Sequence, residues 1–345
     1  MIWSKIFLLV SCLVATSQAY DFKPDHHETY INDHIPIAYN VTGHQLDQST
    51  KSSYFTISFI TTTNNEQYFL LHHILKQTFG VAQVKSSILQ LETLQRWDDV
   101  HIVVINTTNT TTNNNQLDFR YGEYGISAKS PDGVSSLQVD GATPDYSFNI
   151  TFNSTSRLLL NGGTGAFAFG PNYSNTSEWG IPAGRTEGTL TISGDTLDID
   201  AEKSLTWYDR QLIYNGAPDS WVWFGIHLPD AGIKGSIWSF INPETNIRYD
   251  FGTFRYGKES QLVLAGYVQP SASHKWTSPV SNATYTQSWV IDFEDVGSLT
   301  VESITDDQEI YDPKQIGSPV FEGFVTVSGT FFGRQVKGYG AVEQI

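Results

Sequence analysis

The chain has 345 residues, and its 36 acidic side chains outnumber its 20 basic ones, which gives a formal net charge of −16 at neutral pH. Such a surface repels phosphate backbones and anionic membranes, so neither nucleic acid nor a membrane is expected as a partner. The only cysteine, Cys12, lies in a segment predicted below to be removed, which excludes thiol catalysis, thiolate metal sites and disulfides from the mature chain.

The N-terminus has the pattern of a secretory signal peptide. Lys5 precedes an apolar run over residues 6–15 that is too short to span a bilayer, and Ser17 and Ala19 are the small residues of a cleavage site. We therefore predict a leader over 1–19 and a mature protein that is secreted, either outside the cell or in the lumen of the secretory pathway.

The chain also carries eight N-x-Ser/Thr triplets, which behind a leader are typical of a glycoprotein and mark exposed positions. The eight predicted acceptors are Asn40, Asn106, Asn109, Asn149, Asn153, Asn172, Asn175 and Asn282.

The body of the chain has the pattern of antiparallel β-structure. Aromatic, Thr, Ser, Gly and Asn residues are abundant, whereas long apolar repeats of period 3.6 are nearly absent. Residues 52–75 form two candidate strands, and residues 187–200 and 321–344 alternate around glycine-containing turns. The stretch 86–97 is compatible with one short helix or with a strand that runs into a loop.

This pattern predicts an all-β fold built from antiparallel barrels or sandwiches, because turn signals come at short, even spacing and no βαβ units are visible. Turn signals of this kind occur on both sides of position 210, which indicates two domains. We place the first domain over 20–212 and the second over 213–345.

The stretch "SLTWYDRQ" at 204–211 carries an unusual set of polar and aromatic side chains. If it is a strand, Trp207, Asp209 and Gln211 point to one face while Tyr208 and Arg210 point to the other. Neither row suits a plain core or a plain solvent face, so one row should face a cavity or domain seam and the other a second packed layer. A structural role is equally open, in which Asp and Arg tie two β-layers together through hydrogen bonds to the backbone.

The run "EWGIPAGRTEGTLTISGDTLDIDAEKSLTWYDRQ" (178–211) and the closing "GYGAVEQ" (338–344) resemble the carotenoid 1,2-hydratase and AttH-like family. That family includes fungal kievitone hydratase and the lipocalin-like fungal Diels-Alderases. The resemblance implies two packed lipocalin-like barrels that bind a hydrophobic small molecule near their junction. It also implies either hydration of an isolated alkene or a pericyclic ring closure, without a cofactor.

Hydration of an alkene requires a proton delivered to carbon, a sheltered cation and a positioned water. Asp209 is the candidate acid, since burial beside Trp207 and Tyr208 would raise the pKa of its carboxyl. Arg210 is a candidate to hold a substrate oxygen, and Tyr208 and Gln211 are candidates to position the water or a carbonyl.

Two further carboxylates, Glu187 and Glu343, are candidate bases for the water or else structural partners of arginines. Aromatic rings stabilise a cation by about 1–2 kcal/mol each when they are desolvated. The candidate ring residues are Trp179, Trp207, Trp221 and Trp223, with His227 as a further candidate for the pocket wall. Core packing is the competing interpretation for each of them.

No metal site is predicted, because the cluster of His26, His27, Glu28 and His34 has no defined ligand spacing. Nucleotide-binding and hydrolase motifs are also missing from the sequence.

The first hypothesis is therefore a secreted, cofactor-independent hydratase that acts on a prenylated or polyene natural product. The second is a Diels-Alderase or cyclising isomerase of fungal secondary metabolism. A non-catalytic lipocalin-like carrier and a glycan-binding or glycan-cleaving protein with Asp209 and Glu187 as its carboxylates remain as alternatives.

Overall fold

The structure, a computed structural model, is built almost wholly of antiparallel β-strands arranged as two nearly closed barrels. The all-β prediction and the two-barrel architecture implied by the family resemblance are confirmed. The residues described are 19–26, 35–77, 80–105, 116–257, 260–315 and 317–345.

The first sheet contains thirteen strands, of which ten form the path β4-β3-β2-β1-β13-β11-β8-β7-β6-β5. The strands are β1 (Lys51–Thr61), β2 (Gln67–Lys76), β3 (Val81–Gln90), β4 (Arg96–Val104), β5 (Asp118–Tyr121), β6 (Tyr124–Ala128), β7 (Ser136–Ala142), β8 (Tyr146–Ser154), β9 (Leu159–Leu160), β10 (Ala166–Ala168), β11 (Asn175–Ile192), β12 (Asp195–Asp198) and β13 (Leu205–Tyr214).

The second sheet follows the path β17-β16-β15-β14-β25-β24-β22-β21-β18, with β23 paired to β24 and a separate β19-β20 hairpin. Its strands are β14 (Trp221–Leu228), β15 (Ile233–Ile241), β16 (Arg248–Tyr256), β17 (Ser260–Ala265), β18 (Tyr267–Pro270), β21 (Ser288–Phe293), β22 (Gly297–Ser303), β23 (Glu309–Ile310), β24 (Val320–Phe331) and β25 (Arg334–Gln344), and the hairpin is β19 (Lys275–Thr277) with β20 (Thr284–Thr286).

Helices are few and short in the part of the chain that the structure describes. One α-helix, α1 (Val41–Leu46), is capped by the Asn40 side chain, which accepts a hydrogen bond from the Gly43 amide. Within the described ranges, three single turns of 3-10 helix cover Asn161–Gly163, Ala201–Lys203 and Pro229–Ala231. Among the described residues there is no helix with the length and apolar character needed to cross a bilayer.

The strands that meet at the seam between the barrels are buried on both faces. All of β1 except its first residue is buried, whereas β7 alternates between buried and half-buried positions. One face of β1 fills the interior of the first barrel, with Tyr54 and Ile60, and the other packs against the second barrel, with Phe55 and Phe59. Each barrel has its own core, and a third apolar cluster joins the two.

The stretch 86–97 is not helical: it spans the end of β3, a turn and the start of β4. Its apolar residues Ile88 and Leu89 point to opposite, equally buried faces of the sheet, which produces a mixed pattern without a clean period of two. The first sheet ends at Tyr214 and the second begins at Trp221.

Candidate active site at the seam between the barrels

The strand "LTWYDRQ" lies in the middle of the first sheet, as β13 between β1 and β11. Its side chains alternate as the sequence predicts. Trp207 belongs to the apolar cluster of the seam, whereas Tyr208 belongs to the interior of the first barrel. The row that contains Asp209 therefore faces the second barrel and not the solvent.

The register places a row of seam-facing positions across five adjacent strands of the first sheet. In order along the row these are Lys85, His73, Phe55, Asp209 and Gly180. A second row crosses four strands of the opposing sheet, namely Trp238, Trp223, Glu343 and Glu322. The two rows meet where the His73 imidazole contacts the Glu322 carboxylate and where the Phe55 ring packs edge-on against Trp223, at 5.5 Å between centroids.

Asp209 is 5% exposed, and its Oδ1 has no hydrogen-bond partner among the described residues. Burial raises the pKa of its carboxyl to about 8, an effect that the Trp207 indole only partly offsets. At neutral pH the group is therefore a carboxylic acid, in agreement with the effect of burial expected from the sequence.

Glu178 is a second buried acid beside Asp209, and sequence reasoning missed it. Its Oε2 accepts a hydrogen bond of 3.3 Å from Gln211, its cross-strand partner. Burial, followed by the nearby carboxyls of Asp209 and Glu343, raises its pKa well above the usual range. Further along β11, a bulge between Ile181 and Gly184 changes the register of the strand against β13.

Glu322 is the ionised member of the group. Its Oε1 accepts hydrogen bonds from Lys85 Nζ at 2.5 Å and from His73 Nδ1 at 3.1 Å. Burial alone would raise the pKa of this carboxyl, but Lys85 and His73 together lower it to about 2. Its neighbour Glu343 shows the opposite effect, because burial and the negative charge of Glu322 raise the pKa of Glu343.

Aromatic rings enclose these carboxyl groups. Trp207 meets Trp223 edge-on, with 6.0 Å between ring centroids, and meets His227 in the same way at 5.5 Å. His227 in turn stacks on Tyr339. The predicted pocket residues Trp207, Gln211, Trp223 and His227 thus share the seam with Asp209, and Trp221 packs at its edge against Trp238.

Tyr208 and Arg210 do not face the seam, although the sequence made them candidate catalytic residues. The Tyr208 hydroxyl donates to Gln45 Oε1 inside the first barrel. Arg210 stacks on Tyr54 and donates to backbone carbonyls, including that of Ser53. Because adjacent strand residues point to opposite faces, both are directed away from Asp209. Arg210 thus has the structural role considered above, in which an arginine is held by hydrogen bonds to the backbone.

Trp179 and Glu187 are also outside the seam. Trp179 points into the first barrel, where its indole donates to His44 Nδ1. Glu187 is exposed, so it does not approach Asp209. Its neighbour Arg185 pairs with Glu202 instead. A carboxylate pair of Asp209 and Glu187, as in the glycosidase alternative, is therefore not assembled.

One group of described side chains has ligand atoms close enough to hold a metal ion: His73, Glu322 and Glu343, all within 4.8 Å of one another. The Lys85 ammonium already neutralises Glu322, so the arrangement is that of a proton-sharing network with its own cation. The N-terminal group of His26, His27, Glu28 and His34 lies largely outside the described residues, since only His26 is among them.

A cavity of about 520 Å³ lies elsewhere on the surface and is lined by residues that include Tyr20, Leu91, Lys337 and Tyr339. It reaches the seam at Tyr339, four residues along β25 from Glu343. The carboxyl groups themselves are enclosed and do not line this cavity.

Comparison with known proteins gives the same picture of a hydratase-type enzyme. Kievitone hydratase of Fusarium solani subsp. phaseoli is 36% identical, with 98% of this chain and 97% of that protein covered. Dehydratase asqC of Emericella nidulans is 30% identical, with 98% of each covered. These relatives support a hydro-lyase that acts on a small molecule.

Among solved structures, kievitone hydratase from Nectria haematococca superposes with a TM-score of 0.86 at 35% identity, covering 94% of this chain and 98% of that one. CghA, solved with Sch210972, shares the fold at 8% identity with a TM-score of 0.63, covering 95% of this chain and 98% of that one. The AttH-like family model matches residues 41–343. The chain therefore belongs to the AttH-like family.

Proposed function

We propose that this enzyme adds water to an isolated alkene of a hydrophobic natural product, with Asp209 as the acid. The observation that carries the proposal is a carboxyl group buried in an aromatic seam, where burial raises its pKa to about 8. A carboxylic acid kept neutral by burial is what protonation of carbon requires. Enclosure by the indoles of Trp207 and Trp223 suits the cation that protonation creates.

The reaction follows from these groups. Asp209 donates its proton to one alkene carbon, and the electron pair of the double bond forms the new C–H bond. The other carbon becomes a cation that faces aromatic rings and not bulk water. A water molecule adds its oxygen to this cation and releases a proton to a base within the seam. The product is heavier than the substrate by one water, and the reverse sequence is a dehydration.

The proposed substrate class is prenylated phenolics and related polyenes. The apolar seam supports this choice, as does the name of the relative kievitone hydratase. The seam also contains Gln211, whose amide can bind a substrate oxygen once it leaves Glu178. Of the donors considered for a cyclisation, Gln211 alone lies on the Asp209 face, whereas Tyr208 and Arg210 do not. Hydration is therefore favoured over ring closure.

Secretion is the second part of the proposal. It is supported by the leader pattern and by the exposure of the six acceptor asparagines that lie among the described residues, namely Asn40, Asn149, Asn153, Asn172, Asn175 and Asn282. Asn106 and Asn109, and nearly all of the leader, lie outside those residues. A chain that starts near Tyr20 keeps the contacts that fix its N-terminal segment, because Phe22 is buried against Phe59 and Tyr339. Expression in a eukaryotic host with glycosidase treatment and N-terminal sequencing tests this part.

The activity is tested by incubating the enzyme with kievitone and other prenylated phenolics in H₂¹⁸O. Hydration gives a product that carries the label and is heavier by one water. An isomer of unchanged mass would favour a cyclase. If the wild type and Asp209→Asn both bind the phenolic and neither forms a product, the protein is a carrier. If the protein is retained on polysaccharide resins, it is a glycan-binding protein.

A further inference from the structure

The seam contains a second set of groups that the acid chemistry does not use. Ser53 Oγ lies 2.9 Å from His73 Nε2, and His73 Nδ1 lies 3.1 Å from Glu322 Oε1. All three side chains are buried, and Lys85 contacts the same oxygen of Glu322. We propose that Ser53, His73 and Glu322 form a proton-accepting relay that is the base half of the active site.

The protons in this relay have a definite order. Glu322 is ionised beside Lys85, so it accepts and His73 Nδ1 donates. Burial, and then Lys85, lower the pKa of His73 to about 4, so the imidazole is neutral at neutral pH. A neutral imidazole protonated at Nδ1 has its lone pair at Nε2, which accepts from the Ser53 hydroxyl. The relay can therefore take up one proton through Ser53.

A hydroxyl, an imidazole and a carboxylate in this order also occur in acyl-transfer enzymes. Acyl transfer needs hydrogen-bond donors for an oxyanion, usually backbone amides. Ser53 lies in β1, which is paired on one edge with β2 and on the other with β13, so its backbone amides are committed to the sheet. Glu178 and Asp209 add acidic groups nearby. The surroundings suit proton transfer and not acyl transfer.

Ser53 of the relay lies on β1, the strand next to β13, which carries the acid Asp209. His73 and Asp209 are the cross-strand partners of Phe55 on its two sides. Two strand spacings place their backbones about 10 Å apart. The Phe55 side chain lies between them, but Ser53, the proton acceptor of the relay, is a diagonal neighbour of Asp209 across β1 and β13, about 7–8 Å away.

The inference rests on the proposed hydration and completes its proton balance. As the water oxygen bonds to the cation, one O–H bond of the water breaks and its proton goes to Ser53 Oγ. The Ser53 proton moves to His73 Nε2, and the imidazolium is stabilised by Glu322. Asp209, which has lost a proton, and His73, which has gained one, return to their starting states by exchange with solvent. The barrels must dock for the relay to exist, since Glu322 belongs to β24 of the second barrel.

The test compares His73→Gln with His72→Gln. His72 is an adjacent buried histidine on the same strand, but it faces the interior of the first barrel. We expect His73→Gln to lower kcat by about 10²- to 10⁴-fold with KM little changed, the usual contribution of a general base. His72→Gln should change kcat by less than about 3-fold. Circular dichroism of both variants controls for folding.

A measurement without substrate tests the relay itself. ¹⁵N NMR of the full chain at pH 7 should show His73 protonated at Nδ1 and not at Nε2, and Glu322→Gln should disturb that preference. An Nε2-protonated tautomer, or full activity of His73→Gln while Asp209→Asn is inactive, would overturn the relay and leave the acid assignment intact. Full activity of Asp209→Asn would instead overturn the proposed function. Covalent labelling of Ser53 by a fluorophosphonate would also overturn the relay, in favour of acyl transfer.

Discussion

Gly180 lies directly opposite Asp209 in the β11–β13 ladder, and a Cβ at position 180 would stand 2.2 Å from Asp209 Oδ1. Because residue 180 has no side chain, the Asp209 carboxyl can occupy the space that a Cβ would take. The sequence "EWGIP" gives no sign of this relationship, because it depends on the register between β11 and β13.

Gly180→Ala is expected to displace the Asp209 carboxyl and to lower kcat/KM by at least about 10-fold. The overpacked site should also lose about 1–3 kcal/mol of unfolding free energy. Gly43→Ala is the control, since its Cβ meets nothing closer than 3.4 Å. Steady-state kinetics and urea unfolding measure the two effects. Unchanged kinetics in Gly180→Ala would contradict this placement of the acid.

The pH dependence of the reaction should follow the protonation of Asp209. The pKa of its carboxyl is raised to about 8, so the acid form is present at neutral pH and is lost above that value. We expect kcat/KM to fall roughly tenfold per pH unit above about 8. Profiles measured with a prenylated phenolic test this. A profile that stays flat between about pH 7 and 10 would contradict the assignment.

Asp209→Asn should separate activity from stability. Between about pH 3.8 and 8 the folded protein holds a proton that the unfolded chain releases, so the stability of the wild type falls as pH rises through this window. The slope is at most about 1.4 kcal/mol per pH unit. Asparagine does not titrate, so the variant should be inactive, yet it should gain stability relative to the wild type as pH rises. Urea unfolding at pH 5 and 8 measures the difference.

The alternation of "TWYDRQ" correctly predicts which side chains share a face, because a strand fixes side-chain direction by a period of two. It does not reveal which face meets the second barrel. By residue type, Tyr208 and Arg210 could take part in catalysis as well as Asp209 could. Their side chains, however, lie inside the first barrel beside Gln45 and Tyr54. Sequence composition alone has no means to choose between the two faces.

The rest of the site comes from strands that are distant in sequence. His73 meets Glu322 across a separation of 249 residues, and only the docking of the barrels brings them together. His72 and His73 are adjacent strand residues and therefore point to opposite faces, His72 towards Tyr124 and His73 towards Glu322. Glu178 gives no sequence signal of its role, because its proximity to Asp209 depends on the register between β11 and β13, while its neighbour Trp179 points into the first barrel.

Tyr208→Phe is expected to leave kcat/KM within about 3-fold of the wild-type value, because its hydroxyl bonds Gln45 inside the first barrel and not the seam. Loss of that buried hydrogen bond should cost about 1–3 kcal/mol of unfolding free energy, since Gln45 keeps an unsatisfied oxygen. Kinetics and thermal unfolding of Tyr208→Phe beside Asp209→Asn measure the contrast. A loss of activity as large as that of Asp209→Asn would place Tyr208 in the chemistry after all.

The ion pair of Lys85 with Glu322 joins the two barrels, and removal of one partner leaves a buried charge. Lys85→Met should therefore cost about 3–5 kcal/mol of unfolding free energy. Lys85→Met combined with Glu322→Gln should cost less than Lys85→Met alone, because no isolated charge remains. The pKa of Glu322 is lowered to about 2, so its contribution to stability is present above about pH 4.5 and is lost as pH falls through 2. Urea unfolding of the wild type, both single variants and the double variant at pH 7 and pH 3 measures the coupling. Additive effects at pH 7 would mean that Lys85 and Glu322 are not coupled across the seam.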